Sequence, residues 1–145
     1  MEIEDDLISL KLPDATQEES IIKVIGVGGG GSNAVNHMFR QGIHGVEFVV
    51  CNTDIQALRQ SRVKNRIQLG KELTEGRGAG CQPERGRLSA IESMDFIKTI
   101  LEHNTRMVFI TAGMGGGTGT GAAPEIARQA KELGILTIGI VTVPF

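Results

Sequence analysis

Two glycine-rich stretches, each wedged between a strand-like run and a helix-like run, constrain this chain more than any other feature of it. The first, Gly26-Val27-Gly28-Gly29-Gly30-Gly31, closes the apolar run Ile21–Val27 and leads into a segment with Val35, Met38 and Phe39 on one helical face. Ser32 or Asn33 is the expected cap of that helix. The second, Gly115-Gly116-Gly117-Thr118-Gly119-Thr120-Gly121, follows Met107-Val108-Phe109-Ile110 and precedes the helix-like Ala122–Ala127. Strand, glycine-rich turn and helix N-terminus together make an anion site. Glycines let backbone N–H groups approach the anion, and the helix adds unpaired amides and the positive end of its dipole. A loop of only glycine and threonine forfeits chain entropy with no return unless something binds there. One such loop is a weak signal. Two of them point to a nucleotide phosphate.

The rest of the chain alternates in the same way. Strands are expected at Ile21–Val27, Val46–Cys51, Arg66–Leu69, Met107–Ala112 and Ile135–Val143, the long ones nearly continuous in Val, Ile and Phe, as strands covered on both faces are. Helices are expected at Asn33–Gln41, Ile55–Gln60, Pro83–His103 and Ala122–Leu133. The third carries Leu88, Ile91, Met94, Ile97 and Leu101 at helical spacing after Pro83, and the last is stopped by Gly134. This order predicts an α/β fold with a Rossmann-like, doubly wound parallel sheet. Ligands of such sheets lie beyond the strand C-termini where the winding reverses, here between the first and fourth strands. Those are the two strands that end in glycine loops.

Composition fits one domain. The chain has 145 residues and can bury a core. Residues 1–20 hold seven acids and one lysine and read as a flexible acidic extension, leaving 21–145 as the folded part. That part is mildly basic, which suits an anionic ligand. It has no Lys/Arg stripe with interleaved aromatics, so nucleic acid is not an expected partner. No apolar run is long enough to span a membrane and no signal core opens the chain, which predicts a cytoplasmic protein without direct membrane insertion. Cys51 and Cys81 form no metal pattern, and His37, His44 and His103 are scattered, so no protein-held metal is expected.

The phosphate chemistry is unusual. The motif G-x-x-x-x-G-K-[ST] is absent, and neither glycine loop contains a lysine or arginine. Neutralising a phosphate falls to backbone amides, two helix dipoles, the Thr118 hydroxyl and a Mg²⁺ ion carried through the phosphates. No general base stands near the crevice. Glu125 belongs to the helix after the second loop, where it complements the dipole. A nicotinamide-dinucleotide oxidoreductase domain is the rival reading. Gly26, Gly28 and Gly31 satisfy G-x-G-x-x-G, and Asp54 lies near the place of a ribose-binding acid. That reading leaves Gly113–Gly121 unexplained. Asp54 is open between ribose or water-mediated metal contact and capping of the short helix after it.

The stretch Ala112-Gly113-Met114-Gly115-Gly116-Gly117-Thr118-Gly119-Thr120-Gly121 resembles the signature loop of the tubulin/FtsZ GTPases. Ile22–Val35, Asn52-Thr53-Asp54, Gly78-Ala79-Gly80 before Pro83-Glu84, and Thr142-Val143-Pro144-Phe145 are similar to the other nucleotide loops of that family, in order, with flanks like those of its bacterial cell-division branch. The resemblance implies GTP or GDP as ligand. Gly29, Gly30, Gly31, Ser32 and Asn33 would serve the α/β-phosphates, Asn33 reaching toward the nucleoside, with Gly28 in the same loop counted among the site residues. Gly117, Thr118 and Gly119 would hold the β/γ-phosphates, with Gly113, Gly115 and Gly116 of the same loop counted among the site residues. Asn52, with Asp54 beside it, and Ala79-Gly80 would lie near the γ-phosphate, and Thr142 and Pro144 would belong to the last loop.

Cys81 and Gln82 stand where members often have Ala and Asn, and Ser32 where many have Gly. The family continues past Phe145 into the guanine-holding residues, the central helix, the catalytic acidic loop and a second domain. No catalytic residue is therefore expected in this chain, and hydrolysis by it alone should be weak or absent. The implied partners are guanine nucleotide, further copies in a head-to-tail filament, and membrane-tethering proteins at the division site. A non-catalytic, filament-capping fragment is the other alternative. An exposed sheet edge and uncovered apolar surface would favour pairing between copies.

Overall fold

In the computed structural model, residues 21–144 are described, and the acidic extension expected at 1–20 lies outside them. Five strands form one parallel sheet in the order β3-β2-β1-β4-β5. They are β1 (Ile22–Val27), β2 (Glu47–Asn52), β3 (Asn65–Gln68), β4 (Met107–Gly113) and β5 (Leu136–Thr142). The helices are α1 (Gly28–Arg40), α2 (Ile55–Gln60), α3 (Lys71–Thr74), α4 (Pro83–Glu92), α5 (Met94–Glu102) and α6 (Thr118–Glu132). Winding runs outward from β1 to β3, jumps back beside β1 at β4, and runs the other way to β5. The expected fold class is the observed one.

Alternating side chains of the strands enter two separate cores. Val24, Phe48 and Val50 meet Val35 of α1 and Leu58 of α2 on one face. Ile25, Val27, Val49, Val108 and Ile110 meet Ala90 of α4, Ile97 and Leu101 of α5, and Ile126 and Ala130 of α6 on the other. A polar clamp closes the end of the sheet away from the strand C-termini. Lys23, 1% exposed, donates from Nζ to the His103 carbonyl (2.6 Å) and lies 3.5 Å from the Glu47 carboxylate. A buried ammonium is tolerated only with partners of this kind.

The structure corrects three expectations about elements. Neither Ser32 nor Asn33 caps α1. The helix begins at Gly28 directly after β1, with Val27 at the cap position and no side-chain cap. Gly28, at φ +73°, turns the chain from strand to helix in one step, so no capping residue intervenes. Likewise α6 starts at Thr118 rather than Ala122, which puts half of the second glycine loop in a helical turn. The helix expected over Pro83–His103 is two helices broken at Ser93. The Ser93 hydroxyl accepts from Gly70 N (3.0 Å) and donates to the Gln68 carbonyl (3.3 Å), which fixes the break against the segment after β3. The single turn α3 carries no sequence signal beyond the left-handed Gly70 and Glu75 that bound it.

Candidate functional site

The register of β1 against β4 pairs Val27 with Ala112, so the two glycine stretches leave the sheet side by side although about 85 residues separate them. They enclose a cavity of ≈ 230 Å³. Gly29 and Gly30 line it from α1, Gly113 and Gly116 to Gly119 from the β4–α6 junction, and Ala79 and Cys81 from the segment before α4, with Val27 among them. The lining holds no charged side chain.

Both helices that start at this cavity lack a side-chain cap and lack an acidic residue in the first turn. The other helices differ: α3, α4 and α5 also lack a side-chain cap but carry an acid, Glu72, Glu84 or Asp95, in the first turn, and α2 is capped. Asp54 accepts from Gln56 N (2.9 Å) and Ala57 N (3.3 Å) at the start of α2. Leaving two helix N-termini bare toward one cavity concentrates unpaired N–H groups and two positive dipole ends there. An anion is the ligand that such a cavity accepts.

The two stretches touch. A Cβ on Gly28 would lie 2.9 Å from Gly119 N, and one on Gly30 would lie 3.2 Å from Gly113 N. The second loop is held from several sides. Gly115 N donates to Thr120 Oγ1 (2.9 Å), and Met114 N donates to Thr142 Oγ1 (3.2 Å). Gly115, at φ +106°, backs onto Pro144. The Thr118 and Thr53 hydroxyls lie 2.6 Å apart. Helix α4 packs directly on the start of α6, and a Cβ on Gly121 would overlap the Pro83 carbonyl oxygen.

The remaining candidate residues take other places. Gly28 and Gly31 are packed beneath the cavity rather than in its wall. Ser32 is buried, and its Oγ has no hydrogen-bond partner. Asn33 and Gly80 are exposed and outside the lining. Asn52 is buried and its Oδ1 accepts from Asp54 N (3.2 Å). Gly115 lies in the second loop but outside the lining, and Thr142 and Pro144 brace that stretch from behind. Sequence reasoning passed over Val27, Cys81 and Thr53. Val27 and Thr53 have no signal apart from their neighbours, whereas Cys81 stands inside a glycine-rich segment next to Gly80 but forms no metal pattern.

Other chemistry is absent from the cavity wall. Burial pushes the Cys51 thiol up to about 12, so it is an inert core group. Glu125 is buried and paired with Arg128 (3.3 Å) outside the lining. Among the described residues no cluster of His, Cys, Asp and Glu can hold a metal ion. Nor is any helix there long and apolar enough to cross a membrane.

The family model described as the tubulin/FtsZ family, GTPase domain, matches residues 21–145. The chain belongs to the tubulin/FtsZ GTPase family. It is 59% identical over 133 residues to the cell division protein FtsZ of Buchnera aphidicola subsp. Acyrthosiphon pisum, covering 92% of this chain and 34% of that protein. Among solved structures it is similar to the empty FtsZ dimer of M. jannaschii, with a TM-score of 0.84 and 44% identity over 90% of this chain and 38% of that one. It is also similar to CetZ1 from Haloferax volcanii, a GDP-bound monomer, with a TM-score of 0.74 and 27% identity over 85% of this chain and 41% of that one. The chain spans about a third of the length of the curated relative. Membership of the tubulin/FtsZ family displaces the nicotinamide reading, which finds no support in these matches.

Proposed function

We propose that this chain is the phosphate-gripping part of a guanine-nucleotide site in a self-assembling GTPase of bacterial cell division. One observation carries the reading: two uncapped, acid-free helix N-termini share a cavity that contains no charged side chain. The GDP-bound state of the CetZ1 relative supports a guanine nucleotide as the occupant. Gly29 and Gly30 would serve the α/β-phosphates, and Gly116 to Gly119 the β/γ-phosphates. Gly113 and Ala79 complete the wall. Mg²⁺ fits this site only as an ion held by phosphate oxygens and water, since no carboxylate lines the cavity and its one hydroxyl is that of Thr118. It would neutralise charge on the phosphates. Head-to-tail assembly, membrane-tethering partners and a place at the division site belong to the same proposal.

No carboxylate or imidazole lines the cavity to take a proton from an attacking water, so the chain binds and orients phosphate and does not complete hydrolysis. Calorimetric titration tests this with GTP, GDP, ATP and NADH on one preparation. Saturation by GTP and GDP alone is expected, with little phosphate released over hours in Mg²⁺. Saturation by NADH, or rapid turnover by this chain alone, would overturn the reading.

A further inference from the structure

Thr53 connects three segments around the cavity while showing no surface of its own. It is 0% exposed and sits between the end of β2 and the start of α2. Its carbonyl oxygen accepts from Gly78 N (3.3 Å) and from Thr74 Oγ1 (3.4 Å), in the segment that runs on to Ala79 in the cavity wall. The strand end just before it is pinned where Leu69 N donates to the Asn52 carbonyl (2.8 Å). Its hydroxyl lies 2.6 Å from Thr118 Oγ1, at the first position of α6 and in the cavity wall.

A hydroxyl pair of this kind can run in either direction, since each oxygen both donates and accepts. Thr53 is fully buried, and the acceptor within reach of its hydroxyl proton is Thr118 Oγ1. When Thr53 donates, the Thr118 proton has to point elsewhere, and the open side of Thr118 is the cavity. Donation in series also polarises the outer hydroxyl and strengthens the bond it makes to an anion. Reversed, with Thr118 donating inward, the cavity would present an oxygen lone pair, which a phosphate repels. The direction of one buried hydrogen bond thus decides whether Thr118 attracts the ligand or opposes it.

We infer that Thr53 is a positioning residue for the phosphate site, turning the Thr118 hydroxyl proton toward the bound anion. The inference rests on the nucleotide reading above and assigns a role to a residue that never touches the ligand. Valine and serine separate the hydroxyl from the packing at this position. Thr53→Val keeps the methyl volume and removes the donor, while Thr53→Ser keeps the donor and removes the methyl.

The test is calorimetric titration of GDP into the chain and its variants in Mg²⁺. Thr53→Val is expected to weaken GDP by about fivefold or more, the worth of one hydrogen bond, while Thr53→Ser stays within about twofold of the parent. In a Thr118→Val background, Thr53→Val should add less than about twofold, because the group it orients is already gone. Parent-like affinity in Thr53→Val, or a loss in Thr53→Ser as large as in Thr53→Val, would overturn the inference and leave the nucleotide reading standing. Equal losses from Thr53→Val with and without the Thr118 hydroxyl would do the same. Failure of the parent chain to bind GDP or GTP would overturn both. If Thr53→Val does not fold, Thr53→Ala removes the donor without placing a methyl against Thr118, and the same comparison with Thr53→Ser decides. If Thr118→Val leaves no measurable affinity, the Val and Ser variants of Thr53 decide alone.

Discussion

Neighbouring glycines at the start of α1 do opposite jobs. Gly28 holds a left-handed φ of +73°, and a Cβ there would press on Gly119 N at 2.9 Å. Gly29 has nothing within 4 Å of an added Cβ, yet lines the cavity, so a side chain there would stand in the ligand's space. Gly28→Ala is therefore expected to destabilise the fold by about 1–2 kcal/mol from the dihedral alone, read as a lower urea midpoint. Gly29→Ala should leave that midpoint unchanged or raise stability by up to about 1 kcal/mol, since alanine suits a helix better. Its GDP affinity should fall all the same. The sequence marks both as members of one glycine run. It cannot tell them apart, because the difference lies in what stands opposite each Cα.

At the scale of elements, α4 and α5 show where periodicity misleads. Leu88, Ile91, Met94, Ile97 and Leu101 follow helical spacing, which implies one continuous helix with one apolar face. In the structure Ile97 and Leu101 are buried in α5, but Leu88 and Ile91 of α4 are exposed. The buried face of α4 consists of Gly86, Ser89 and Ala90. Small residues face inward because α4 lies against α6 with almost no side chain between them, at the Gly121–Pro83 contact. Its large residues have room only outside. The break at Ser93 depends on a hydroxyl that serves two backbone groups after β3. Ser93→Ala should cost about 1–3 kcal/mol, since it leaves the buried Gly70 N–H unpaired, and chemical denaturation would read this directly. Strand positions, by contrast, were legible to within a residue or two. Near-continuous Val and Ile runs mark strands locally, and β1 and β2 are buried on both faces as expected, but β5 has a similar run and is largely exposed, because burial depends on what packs across the fold.

The molecule as a whole was legible for a simple reason. Strand order follows from alternation and winding, and the position of the site follows from strand order. The edge of the sheet is the part that alternation leaves open. In β5, Leu136 is 61% exposed and Ile140 57%, on a strand that pairs only with β4 among the described residues. Such an edge invites another chain. Sedimentation velocity is expected to show concentration-dependent association of this chain, reduced toward monomer by Leu136→Lys with Ile140→Lys. A parent that stays monomeric at all concentrations would refute that. The absence of charged side chains from the cavity wall has a consequence of a different kind. Grip supplied by main-chain nitrogens is encoded by no particular side chain, so exchanging one residue for another cannot strip it away unless the newcomer is proline. Apart from the Thr118 hydroxyl, sequence drift can retune this pocket only by crowding it, and tolerance at the glycine positions of the wall should track the volume added rather than the polarity.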